Sequence, residues 1–229
     1  MKKLLTLLLV GIVTCSLIGC GAGASNDNTT DIEKVDNVEK EETPVDVVTG
    51  DVTLDAVMNA KESPALDFDY VEVDGGIAID FYNGQDDIVV IPEGIDGKTV
   101  VAINESAFMN NERVKAVKIA DTVNYVGQMA FMNCTGLEIA VCGKNVKVLD
   151  EYCFNNCTAL KQVELNEGIE SLKYGVFALD LCLKELYIPG SVTEIDYILV
   201  GDEEITLIVE AGSAAEQYAK DNGFAYETK

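Results

Sequence analysis

The sequence predicts a strand-rich repeat solenoid of the α/β type, a single folded domain in which each coil of 23 residues supplies a short strand and a helical turn. Three observations predict it. Phe108, Phe131, Phe154 and Phe177 recur every 23 residues, and one more step lands on Val200. Five residues before these stand Ile103, Val126, Leu149, Leu172 and Ile195; eight before stand Val100, Val123, Val146, Ile169 and Val192. Three further apolar columns keep the same phase. They hold Val114, Leu137, Leu160 and Leu183; Val117, Ala140, Val163 and Leu186; and Ile119, Cys142, Leu165 and Ile188. A fixed period of this length marks coils that bury their apolar faces only against neighbouring coils.

At the start of the chain, Met1-Lys2-Lys3 is positive and residues 4–18 are almost wholly apolar. That run is shorter than the ~20 residues a spanning helix needs, but it suits the core of a signal peptide. It closes in Leu17-Ile18-Gly19-Cys20, which resembles the lipobox of bacterial lipoproteins. The resemblance implies that residues 1–19 are removed, that Cys20 carries the lipid, and that the protein sits anchored on the extracytoplasmic face of a cell membrane. Residues 20–50 then read as the lipidated cysteine and a disordered acidic tether, because they hold no aromatic residue and too few apolar groups to offset the entropy of ordering them.

Residues 51–92 read as an N-terminal cap, with a short helix over 54–61 and a hairpin turning at Asp74-Gly75-Gly76. The coils occupy residues 93–203. Within a coil, Val163 and Leu165 alternate with Gln162 and Glu164, the period of a strand with one face inward. The stretch around Phe154 reads as a short helical turn on the opposite side. Residues 204–229 form a C-terminal cap of strand, helix and strand, the helix opening at Gly212-Ser213 and ending at Asn222-Gly223. Both ends of a solenoid need such covers.

The coil carrying Leu183, Leu186, Ile188, Pro189, Val192 and Ile195 resembles the leucine-rich repeat of BspA-like bacterial surface proteins. Ala107-Phe108, Ala130-Phe131, Asn133-Cys134 and Asn156-Cys157 stand where that family carries its Ala-Phe and Asn-Cys pairs. The resemblance covers about residues 86–226 and implies a leucine-rich-repeat solenoid used in adhesion or ligand binding. It departs in the last full coil, where Leu199-Val200 replaces Ala-Phe.

Composition excludes several chemistries. The chain has no histidine, so a Ser–His–Asp triad, a Cys–His dyad or a His-ligated zinc site cannot come from it alone. Forty acidic residues against 16 basic ones give a net charge of −24. Loss of Lys2 and Lys3 leaves 14 basic residues and a mature side-chain charge of −26. Such a surface repels nucleic-acid backbones and anionic head groups, so no nucleic acid is expected as a partner. No segment has the loop of a dedicated Ca²⁺ site, and no metal or cofactor is expected.

The remaining cysteines fit the columns. Cys142 stands with Ile119, Leu165 and Ile188, Cys153 with Ala107, Ala130 and Val176, and Cys182 with Gly136 and Ala159. These three read as packing. Cys134 and Cys157 share one column on adjacent coils. Adjacent strands lie about 4.8 Å apart, but parallel side-chain vectors keep the β-carbons too far apart for an easy disulfide; the pair is expected to stay reduced.

Function is expected to be non-catalytic and monomeric, with no catalytic residue assigned. A carboxylate-dependent glycan or cell-envelope hydrolase would need two converging acids, and a transporter-associated solute-binding lipoprotein would need two α/β lobes; neither follows from the 23-residue period. Strand alternation turns one row outward: Lys118, Val141, Glu164 and Tyr187, flanked by Ile139, Gln162 and Glu185. Because Ile139, Val141 and Tyr187 are apolar or aromatic, this row is the expected contact face for a protein or glycan ligand.

Overall fold

The structure, a computed structural model, describes residues 52–199 and 204–229. The expected signal peptide, Cys20 and the expected tether lie outside them. The described chain enters as α1 (Leu54–Asn59), whose N-terminus is capped by Thr53 Oγ1 accepting from the Ala56 amide. The strands β1 (Phe68–Val73) and β2 (Gly76–Tyr82) form an antiparallel hairpin, turned by Gly75 at φ +87. Next come β3 (Ile88–Val90), β4 (Gly94–Ile95) and β5 (Lys98–Ile103), with β4 folding back on β5. The coils then repeat two strands each: β6 (Ala116–Lys118) with β7 (Tyr125–Val126), β8 (Ile139–Val141) with β9 (Val148–Leu149), β10 (Gln162–Glu164) with β11 (Ser171–Leu172), and β12 (Glu185–Ile188) with β13 (Glu194–Ile195). β14 (Thr206–Val209), α2 (Ala214–Asn222) and β15 (Ala225–Thr228) end the chain.

Strands from successive coils stack in parallel. One sheet runs β3, β6, β8, β10; another runs β1, β2, β5, β7, β9, β11, β13; a third runs β12, β14, β15. The register puts Val117 beside Ala140 and Ala140 beside Val163, while Val126, Leu149, Leu172 and Ile195 line up in turn. Each column of the sequence is therefore a physical row, and its inward members are buried, except for Ile195 of the last coil, which is half-buried. Coils pass closely where a side chain is absent: a Cβ on Gly143 would lie 2.1 Å from the Ala120 carbonyl oxygen.

The side opposite the strands is built of turns rather than the expected helical turn. Ser106, Met129 and Tyr152 have φ between 56° and 61°, and Asn110, Asn133 and Asn156 between 59° and 62°. A residue in the left-handed region breaks a right-handed helix. The hydrogen bonds show what is gained. Phe108, Phe131 and Phe154 donate their amides to Ala130, Cys153 and Val176 of the next coil at 2.7–3.0 Å, while Met109 and Asn111 donate back to Ser106 and Phe108. Alternate amides thus pair between coils and within the coil, so a buried backbone is satisfied without helix or strand.

The core is a file of aromatic rings. Phe108 stacks on Phe131 at 4.6 Å, Phe131 on Phe154 at 5.1 Å and Phe154 on Phe177 at 5.9 Å. Tyr82 extends the file at 5.1 Å from Phe108, and Phe68 sits 5.2 Å beyond it. The repeat therefore begins within the segment expected as a cap. Tyr82 escapes the 23-residue phase because the β4 hairpin lengthens that coil.

Both ends are closed. Ser63 donates its amide to the Val90 carbonyl at 2.9 Å and accepts the Val90 amide on its hydroxyl, covering the β3 edge. At the other end α2 buries Ala215, Tyr218 and Ala219, and the Tyr218 hydroxyl accepts the Ile198 amide at 3.2 Å. Ser213 caps α2 at its N-terminus, and Gly223 ends it in the left-handed conformation at φ 74.

Candidate interaction face

Strand alternation places Val117, Ala140, Val163 and Leu186 in the core and turns their neighbours outward. Glu164 and Glu185 are exposed, and Lys118, Gln162 and Tyr187 are half-buried. Ile139 and Val141 are not exposed, which corrects the sequence expectation. They are buried at 4% and 8% with Ala116 in a small second core, covered by Val52, Leu54 and Val57 of the N-terminal segment. Their direction follows from the strand; their burial follows from α1 folding back over β6 and β8. Lys118 reinforces this cover by donating Nζ to the Met58 carbonyl near the end of α1 at 3.2 Å. Val52, Leu54 and Val57 carry an apolar pattern in the sequence, but nothing in it names the face they cover.

Tyr187 is committed as well. Its hydroxyl lies 3.0 Å from a Glu167 carboxylate oxygen and 3.1 Å from one of Glu210, and Lys229 Nζ lies 3.7 Å above its ring. Desolvation first, then the two carboxylates, push its hydroxyl pKa upward. Gln162 donates to Glu164 at 2.7 Å. The face therefore divides into a half covered by α1 and a half of self-paired polar groups.

The five cysteines among the described residues are all free; Cys134, Cys142, Cys153 and Cys157 are buried, whereas Cys182 is exposed and does not pack as its column suggested. The Cys134 thiol donates to the Phe108 carbonyl at 3.1 Å, and the Cys157 thiol to that of Phe131 at 3.2 Å. Burial pushes the Cys134 and Cys142 thiols up to about 12. Such thiols are packing groups, not nucleophiles. A depression of about 410 Å³ lies beside Phe81, Met109 and Arg113, where Arg113 is held by Asp87 and by the Gln85 carbonyl.

The region 81–201 matches the model of the BspA type leucine rich repeat region in six copies. The chain belongs to the BspA-type leucine-rich-repeat family. It is similar to a leucine-rich-repeat protein of T. pallidum, at 27% identity and TM-score 0.63, over 65% of this chain and 71% of that one. It is also similar to one from Bacteroides ovatus, at 26% identity and TM-score 0.54, over 63% of this chain and 41% of that one. The pneumococcal vaccine antigen PcpA shares the fold at 14% identity and TM-score 0.52, over 70% of this chain and 47% of that one. No curated protein matches the sequence.

The BspA-type pairs now have physical reasons in this chain. Asn110, Asn133 and Asn156 hold the left-handed position, which asparagine tolerates. Their amides form a ladder, Asn156 donating to Asn133 at 2.9 Å and Asn133 to Asn110 at 2.8 Å.

One exposed feature of this BspA-type array escaped the sequence reading. Tyr152, Tyr174 and Tyr197 form a ridge at the C-terminal coils, with ring centroids 5.5 Å and 6.4 Å apart. The 23-residue step from Tyr174 to Tyr197 was the available signal. It lay outside the apolar columns, so only the structure makes it a surface.

Proposed function

We propose that this protein is a non-catalytic interaction module, held by a lipid on Cys20 at the extracytoplasmic face of a cell membrane, that binds a protein or glycan through its exposed rows. One observation carries the reading. Each coil commits its inward residues to the aromatic file and the aliphatic rows, while parallel ladders hold the outward residues at fixed spacing. An array of this kind lets exposed residues vary without disturbing the core, and extended solenoid faces suit binding. The lipobox-like run ending at Cys20 supports the location, and the acidic surface leaves the lipid, not charge, as the means of attachment.

The test has two arms. Cys20→Ser should abolish fatty-acid labelling and release the protein from membranes; unchanged labelling refutes the anchor. The mature protein, fluorescently labelled, should bind bacterial or host cells saturably and stay silent in hydrolysis screens on cell-wall and glycan substrates. Absence of cell binding, or measurable turnover, overturns the interaction reading.

A further inference from the structure

Among the described residues, the two outer rings of the tyrosine ridge stand open. Tyr174 and Tyr197 are 41% and 44% exposed, and they occupy the column held in earlier coils by Gln128 and Glu151. The backbone sets their spacing: Tyr152 donates its amide to the Tyr174 carbonyl at 2.9 Å, and Gly175 to that of Tyr197 at 3.0 Å. Gly175 makes room for the first ring, since a Cβ there would lie 2.6 Å from Tyr152. The chain has nine tyrosines. The other six are each held by a hydrogen bond or an overlying lysine, as Tyr125 is by Asp150 and Tyr218 by the Ile198 amide. Among the described residues, no hydrogen bond engages the hydroxyls of Tyr152, Tyr174 or Tyr197.

We propose that this ridge binds a neutral polysaccharide chain, resting on the reading of the protein as an interaction module. A sugar ring offers an apolar C–H face to an aromatic ring and hydroxyls to polar groups at its edge. Tyr174 and Tyr197, 6.4 Å apart and tilted by 36°, supply the ring faces, and Lys173 and Asp196, their neighbours in sequence, supply polar groups. The surrounding carboxylates repel an anionic polymer. A folded protein partner needs a broad patch of about 800 Å² with an apolar centre, whereas these rings are bordered by charge.

The full chain has a sequence pI near 4.1, and loss of Lys2 and Lys3 makes the mature protein more acidic still, so affinity electrophoresis in detergent is suited to it. The gels would carry laminarin, mannan or xylan, with polygalacturonate as the anionic comparison. At least one neutral polymer should retard the protein, and Tyr174→Ala with Tyr197→Ala should weaken that affinity about tenfold or more. Tyr174→Phe with Tyr197→Phe should retain most of it. The chain lacks tryptophan, so tyrosine emission quenched by the same polymer in the unsubstituted protein, and not in the phenylalanine variant, reports the ridge even if the alanine variant unfolds. No retardation by any neutral polymer, retardation by polygalacturonate alone, or undiminished retardation of a folded alanine variant overturns the proposal. If that variant loses cell binding while no polymer retards the native protein, the ridge is a protein contact; the glycan assignment falls and the interaction reading stands.

Discussion

Asn133 donates its side-chain amide to Asn110 Oδ1 at 2.8 Å, one coil away, while its own backbone sits at φ 61. The same residue therefore does two things: it tolerates the left-handed turn that ends the aromatic segment, and it ties that turn to its neighbour. Asn133→Ala should destabilise the protein by about 1–2 kcal/mol, and Asn133→Gly by less, because glycine keeps the turn and loses only the ladder. Chemical denaturation of both variants separates the two contributions. An alanine variant as stable as the parent would show that neither matters.

Phe154 lies mid-file, fully buried between Phe131 and Phe177. Phe154→Ala should cost about 3–5 kcal/mol, the range for a buried aromatic whose cavity cannot close. A urea midpoint unchanged from the parent would contradict the description of the core.

The approach of Gly143 to the Ala120 carbonyl leaves no room for a methyl group. Because the obstacle is backbone rather than a flexible side-chain tip, Gly143→Ala should cost about 1–3 kcal/mol through coil separation. Thermal denaturation reads the loss directly.

Thiol chemistry tests burial independently. A chain beginning after Cys20 should show one fast-reacting thiol, Cys182, and four more only on unfolding. Stability should also fall on the alkaline side. Cys134 and Cys142 titrate at about 12 in the folded protein against an ordinary value of 9.0, so the unfolded chain gives up protons first. Their contribution is full below about pH 9 and declines as pH rises toward about 12. Urea midpoints across that window report it.

The cover over Ile139 and Val141 predicts a sharp contrast within the N-terminal region. Val57→Asp should place a charge in the second core and raise binding of a hydrophobic dye. Deleting residues 25–43, in the tether, should leave the melting temperature unmoved. A large shift on that deletion would place the folded boundary further upstream.

The solenoid itself was legible because its physics is periodic. Parallel stacking in register turns a 23-residue recurrence into rows, and inward residues such as Val163 and Leu172 can be named from phase alone. The free, buried state of Cys142 and Cys153 follows from the same columns. The turn geometry was less legible. Phe154 recurs as it would in a helix, and the left-handed residues at Tyr152 and Asn156 that forbid one leave little mark on hydrophobic periodicity.

By itself, the sequence determined the repeat, its inward rows and the family to which they belong, since each depends on residues at a fixed separation along the chain. Tertiary structure alone decided which outward rows remain open. Ile139 and Val141 point away from their coil as alternation demands, yet lie beneath Val57, which is more than eighty positions earlier in the chain. Tyr187 is drawn in by Glu167, Glu210 and Lys229, each from a different element or turn. Tyr174 and Tyr197 stay exposed among the described residues. Exposure is a property of what else folds over a surface, and no local pattern encodes it.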